Sequence, residues 1–84
     1  MNKEYIIYNL REAQEEIEET IQNLETDTEY EFGDYIVAMS HLYHHINTAW
    51  NARDAGELEV EECSENNFAK WRKMPSTDEL FLHA

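Results

Sequence analysis

The sequence has few of the residues that cross-link, bend or interrupt a small chain. Its 84 residues include one cysteine, one proline and two glycines. A lone cysteine excludes a disulfide within the chain and, with no secretory leader pattern, predicts a reducing, cytoplasmic setting. The glycines, Gly33 and Gly56, are too far apart to form a glycine-rich phosphate loop. No glycine or proline precedes Gly33, so the first third of the chain can form one long helix.

Positive charge is also scarce. The chain has six Lys and Arg residues and 19 Asp and Glu residues, which gives a net charge of −13. No Lys or Arg lies between Arg11 and Arg53. A field of this sign repels nucleic acid and anionic lipid and attracts basic surfaces. We therefore expect no nucleic-acid binding. The charge indicates either solubility alone or a basic protein partner.

Charge of either sign is absent from residues 35–52, although 30% of the chain is charged. A helix that faces water normally displays charged residues on that side. This stretch predicts a helix that is covered on more than one side, by the rest of the chain, a second subunit or a partner. Three His and two Asn residues within it make insertion into a bilayer unfavourable, so no membrane role is expected.

Apolar spacing predicts two long helices, 3–25 and 29–55, joined by a short loop. The first has a narrow apolar stripe and the second a wider apolar face. Thr28 and Glu31 match a capping box, and Gly56 is placed to end the second helix in a left-handed conformation. The predicted core packs the stripe of the first helix against the second: Ile6, Leu10, Ala13, Ile17, Ile21 and Leu24 against Ile36, Met39, Tyr43, Ile46 and Trp50.

The predicted fold is all-α, a single domain over residues 1–84. It consists of an antiparallel hairpin of two long helices, a short helix at 65–73 and a tail at 75–84. A two-helix hairpin has no enclosed core, which favours completion of a helical bundle by homodimerisation. We expect the short helix to fold back so that Phe68 and Trp71 cover the second helix. Its basic residues would then reach the glutamates of the first helix: Lys70, Arg72 and Lys73.

A pair of histidines has the spacing of metal ligands. His41 and His45 stand four residues apart, so a helix projects both from one face. On the helical wheel they lie with Thr48 opposite the apolar face and therefore point away from the first helix. A complete site would need ligands from a second subunit or from the last third of the chain: Glu61, Glu62, Cys63 and His83. Packing histidines are the favoured interpretation, metal binding is the alternative, and no cofactor is expected.

No catalytic arrangement is visible. Glutamates around Cys63 work against a reactive thiolate, which needs nearby positive charge. Most carboxylates lie on the solvent side of the first helix, as is usual for a run of charge on a helix. The chain also lacks a serine elbow and a CxxC motif. We therefore expect no enzymatic activity and assign no catalytic residue.

The least generic stretch of the sequence is residues 44–53. Aromatic residues in so acidic a chain are expected to anchor a core or an interface, because a nucleic-acid stacking surface needs a cationic groove. We predict an interaction surface here: His44, Asn47, Trp50, Asn51 and Arg53.

Three hypotheses for function follow. The leading one is a small acidic helical protein that acts by self-association or protein–protein interaction. An alternative is an acidic inhibitor or decoy that occupies a basic, nucleic-acid-binding protein, with binding that weakens steeply in salt. The other alternative is a metal-binding bundle that uses His41 and His45.

Overall fold

The structure, a computed structural model, describes residues 1–62 and 65–75. This part of the chain forms four helices: α1 (Lys3–Thr26), α2 (Phe32–Asn51), α3 (Glu57–Glu62) and α4 (Glu65–Trp71). The long helices α1 and α2 pack against each other, and α4 packs on α2. The predicted all-α hairpin is thus confirmed. Residue 75 is the one part of the predicted tail within the described residues.

The loop between the long helices extends further than the sequence indicates. The Asp27 carboxylate accepts a hydrogen bond from the Glu29 amide (2.9 Å), and the Asp27 carbonyl accepts one from the Tyr30 amide (3.2 Å), so a turn occupies these residues. The second helix therefore begins at Phe32 rather than at residue 29. Its capping contact runs from the Glu31 amide to Asp34 Oδ2 (3.0 Å), and the predicted Thr28–Glu31 box is wrong.

The second helix also ends earlier than predicted. It ends at Asn51, and Ala52 leaves helical geometry with φ −104° and ψ 19°. Gly56 is outside the left-handed region, so its predicted role as helix terminator is wrong. Its carbonyl instead accepts a hydrogen bond from the Val60 amide (3.1 Å) at the start of α3.

The seam between α1 and α2 is built from small and polar residues. Buried on α1 are Asn9, Ala13 and Thr20, and buried on the side of α2 that faces α1 are Ala38, Thr48 and Ala49. The predicted core of large side chains is wrong for most of its members. Of these, seven are between 42% and 57% exposed: Leu10, Ile17, Ile21, Leu24, Ile36, Tyr43 and Ile46. Small residues allow two helix backbones to approach closely, which large side chains would prevent.

The short helix α4 folds back onto α2, as predicted. Trp71 is 3% exposed and packs with Ala52 and Ala55, and its ring meets the edge of the Tyr5 ring at 6.0 Å. Phe68 lies against the His44 ring, with 4.6 Å between centroids. A helix of seven residues has little stability of its own, so these contacts hold it in place.

The predicted ion pairs between α4 and α1 are absent from the described residues. The basic side chains of this segment are exposed: Lys70, Arg72 and Lys73. Within residues 1–62 and 65–75, ion pairs are made by Asp54, with Arg53 (3.9 Å) and with the Met1 amino group (3.6 Å). The docking of α4 therefore depends on Trp71 and on hydrogen bonds rather than on salt bridges.

Candidate functional site

The most distinctive surface of the structure is a set of large apolar side chains that the hairpin leaves exposed. We call it the apolar face. Its side chains are between 37% and 57% exposed: Leu10, Ile17, Ile21 and Leu24 of α1, with Tyr35 and Ile46 of α2. Isolated exposed apolar residues are ordinary on a protein surface, but a contiguous group marks an interaction site.

Helix geometry places both halves of this face on one side of the hairpin. Successive residues of an α-helix are about 100° apart, so Leu10 and Ile17 lie about 40–100° from Asn9, Ala13 and Thr20 of the seam, all in one rotational sense. On α2, Tyr35 and Ile46 are displaced from Ala38 in the same rotational sense. Because α1 and α2 are antiparallel, equal senses of rotation bring both groups to the same side.

The opposite rotation leads to the other side of the hairpin. There α2 presents the side chains that hold α4, and α1 presents glutamates: Glu12, Glu16 and Glu19. The hairpin therefore has two unlike sides. One is acidic and carries α4, and the other is the apolar face.

The size of the apolar face approaches that of a protein interface. Half-exposed side chains of this size each show on the order of 100 Å² to solvent. Six of them together expose about 600 Å², compared with about 800 Å² from each partner in a standard protein–protein interface. The largest patch on a monomeric protein is about 300–600 Å² and is often functional, so this face lies at the upper end of that range.

The structure places the histidine pair differently from the helical-wheel prediction. His45 faces α1, where its Nδ1 atom lies 3.3 Å from Asn9 Oδ1, and Thr48 is 2% exposed. Both residues thus belong to the seam, and the prediction that they point away from the first helix is wrong. His41 is exposed.

Metal binding by His41 and His45 stays a prediction. No group of three or more His, Cys, Asp or Glu side chains within the described residues is arranged to hold a metal ion. Of the candidate further ligands, Cys63 and His83 lie outside the described residues, and so does the side chain of Glu62.

The predicted interaction residues make contacts inside the chain. The side-chain amide of Asn47 donates to the Arg72 carbonyl (2.8 Å). The side-chain amide of Asn51 donates to the carbonyls of Trp71 (2.8 Å) and Lys73 (2.6 Å). These bonds satisfy the carbonyl groups at the end of α4, which have no partner within the helix. The two asparagines therefore cap and anchor α4.

The other members of that prediction lie at the end of α2. The Arg53 guanidinium stacks on the Trp50 ring at 4.2 Å from its centroid and donates to the Trp50 carbonyl at 2.7 Å. His44 completes the set through its ring contact with Phe68. An interaction with another molecule through these residues stays a prediction.

The burial of Asn9 and Thr20 in the seam could not be predicted from the sequence. Asn9 interrupts the polar and apolar periodicity of α1, and its partner His45 is 36 positions away. A single polar residue on a helix is equally compatible with solvent exposure. The close approach of two antiparallel helices is what converts Asn9 and Thr20 into buried residues.

The environment of His44 gives the docking of α4 a dependence on pH. Burial lowers the pKa of His44 below its ordinary value of 6.5, and the charges of His45, Arg72 and His41 lower the pKa further. The unfolded chain therefore takes up this proton at a higher pH than the folded chain does. The contribution of neutral His44 to stability is complete above 6.5 and is lost as pH falls through the lowered pKa.

We expect His44→Leu to remove this part of the pH dependence, because leucine keeps an apolar contact with Phe68 without a titrating group. Urea denaturation at about pH 7.5 and about pH 5.5, at fixed protein concentration, measures the effect, since histidine titrates between these values. The parent should lose more stability than His44→Leu on acidification. Equal losses in the two proteins would contradict the prediction.

None of the helices within residues 1–62 and 65–75 is long and apolar enough to cross a membrane. The chain matches no family model, no curated protein and no solved structure. Its class is that of an all-α helical hairpin with an apolar face. What the protein does is therefore inferred from its own surfaces.

Proposed function

We propose that this protein acts by association, and that its apolar face joins two copies of the chain into a helical bundle. The observation that carries the proposal is the position of the large apolar side chains. The seam of the hairpin is filled by small residues such as Ala13 and Ala38, while residues such as Ile17 and Ile46 stay exposed. A second hairpin would bury them as the core of a four-helix bundle.

The distribution of charge supports a second copy as the occupant. A dimer of this chain has twice the net charge of −13, so most of its acidic groups must lie away from the contact. The acidic side of the hairpin is opposite the apolar face, and α2 contributes no charged residue to that face between Tyr35 and Asn51. Two apolar faces can therefore meet with little repulsion. A two-fold symmetric contact of this kind closes on itself and stops at two subunits.

The proposal predicts that Ile17→Glu separates the subunits. Two glutamates would enter the interface, one from each copy, and each would lose its hydration without gaining a partner. We expect the dissociation constant to rise about 100-fold or more, because each 1.4 kcal/mol is a factor of ten. Native mass spectrometry gives the subunit count, and sedimentation equilibrium gives the constant. Helix content should stay unchanged, because Ile17 is exposed in the single chain.

Leu58→Glu is the matched control. Leu58 is 72% exposed on α3, outside the apolar face, and its replacement introduces the same charge. This variant should dimerise like the parent. A parent protein that stays monomeric at about 100 μM would contradict the proposal, since specific protein–protein interfaces typically hold at micromolar concentration or below. An Ile17→Glu variant that dimerises as tightly as the parent would also contradict it.

The acidic inhibitor hypothesis uses the other side of the hairpin and stays a prediction. It requires a basic partner whose binding weakens steeply with salt. The apolar association proposed here should respond weakly to salt, so ionic strength separates the two.

A further inference from the structure

Charged residues line the outer edge of the apolar face on α1, and their signs change along the helix. Arg11 and Glu18 are exposed and stand seven residues apart, so both lie beside the apolar stripe on the flank remote from α2. The positive residues of α1, Lys3 and Arg11, are in its first half. From Glu12 onward, every charged residue of α1 is negative.

From this pattern we infer that the two copies pair α1 against α1 in antiparallel orientation, with Arg11 beside Glu18 of the partner subunit. The inference rests on the proposed self-association and specifies its geometry. An antiparallel pair brings the first half of one helix against the second half of the other. Two-fold symmetry then makes the Arg11–Glu18 contact twice.

The register follows from the same two residues. The midpoint between Arg11 and Glu18 falls between Gln14 and Glu15, which is also the midpoint of α1 from Lys3 to Thr26. The helices therefore overlap along their full length when these charges meet. In this register Leu10 lies about two residues, or about 3 Å, from the level of Ile21 of the partner subunit, within reach for packing in one layer.

The other arrangements of two hairpins lose this complementarity. A parallel pair of α1 helices would place Arg11 against Arg11 of the partner subunit and Glu18 against Glu18 of the partner subunit. An arrangement of α1 over α2 of the other copy would place both charges beside a helix with no charged residue from Tyr35 to Asn51. At the ends of the antiparallel pair, Glu25 of one copy meets both Lys3 and Glu4 of the other. Those two charges offset each other, so the central contacts determine the orientation.

Charge reversal in the full chain tests the pairing. Arg11→Glu and Glu18→Arg should each raise the dissociation constant about 10-fold, because two attractive contacts become two like-charge contacts. The double variant Arg11→Glu, Glu18→Arg should return to within about 3-fold of the parent, because the contacts are restored with their signs exchanged. Sedimentation equilibrium at low salt measures each constant.

Glu15→Arg is the control that separates local pairing from net charge. It makes the same change in charge as Glu18→Arg, but Glu15 lies on the side of α1 away from the apolar face. Both replacements reduce the general repulsion between two acidic chains. Glu15→Arg should leave the dimer unchanged or tighter, whereas Glu18→Arg should weaken it. Equal tightening by both variants, or a double variant as weak as its parents, would overturn the pairing.

Cross-linking gives an independent test of orientation. With Cys63 replaced by serine, Gln14→Cys should form a disulfide-linked dimer on mild oxidation, since position 14 lies next to the symmetry axis. Ile21→Cys should not, because position 21 lies on the same side of α1 as position 14 but its two copies would be about 20 Å apart along the axis. Cross-linking at both positions would indicate a parallel pair, and a dimer cross-linked at neither would indicate α1 over α2; either result overturns the inference. A parent that is monomeric would instead overturn the proposed function.

Discussion

Replacing Trp71 by alanine should lower the free energy of unfolding by about 3–5 kcal/mol, the usual cost of removing a large buried aromatic side chain. Trp71 is 3% exposed and fills the space between Ala52, Ala55 and the Tyr5 ring. Without the indole ring, α4 loses the buried side chain that holds its seven residues against the rest of the fold. The loss of α4 would also leave the Asn51 amide without its carbonyl acceptors. Urea denaturation followed by circular dichroism, at fixed protein concentration, measures the change.

Phe68→Ala is the comparison for this experiment. Phe68 belongs to the same helix and also contacts α2, but it is 41% exposed. Less apolar area is lost, so we expect a cost of about 1 kcal/mol. If the two variants lose similar stability, then Trp71 is not the anchor of α4.

The second large effect concerns the seam of the hairpin. Ala13→Leu should destabilise the fold by about 1–3 kcal/mol, because a larger side chain at a close contact forces the helices apart or into strained rotamers. Ala13 is 4% exposed and faces α2. In a seam of large residues the same replacement would add apolar burial and stabilise the protein. A loss of stability in Ala13→Leu therefore indicates a seam of small residues, and a gain indicates a seam of large ones.

Ala69→Leu provides the control for Ala13→Leu. Ala69 is exposed on α4, and leucine and alanine are both good helix formers. We expect a change within about 0.5 kcal/mol, as for other surface replacements. Thermal or urea denaturation of the two variants at equal concentration decides the matter, and a more stable Ala13→Leu protein would contradict the close-packed seam.

The sequence indicates the helices well and their packing poorly. Apolar spacing predicts α1 and α2 because a period near 3.6 residues is a local property of the chain. The same spacing assigns Ile17 and Ile46 to the seam, and this assignment is wrong. A pattern shows that a face is apolar, but not which surface covers it. In this hairpin the choice depends on how closely two backbones approach at Ala13 and Ala38.

The contacts around α4 illustrate a different limit. Phe68 and Trp71 are recognisable as anchors because large aromatic residues on a short helix need a surface to cover. The acceptors of Asn47 and Asn51 are backbone carbonyls 20 to 25 positions away, and a carbonyl carries no sequence signature. Their role can be seen once α4 is in place. The absence of charge from residues 35–52 has a related reason. This helix contacts α1 on one side and α4 on another and carries part of the apolar face, so little of its surface is left for charged residues.

The bonds made by Asn2 have a consequence for how the hairpin opens. Its backbone amide donates to the Arg53 carbonyl (2.6 Å), and its side-chain amide donates to the Ala55 carbonyl (2.9 Å). Its Oδ1 atom caps α1 by accepting a hydrogen bond from the Tyr5 backbone amide (3.1 Å). A hairpin of two helices is tied by its loop at one end and would otherwise unzip from the other. Here the hydrogen bonds of Asn2 hold the other end as well. Neither end can therefore open alone, and the two helices separate in one cooperative step.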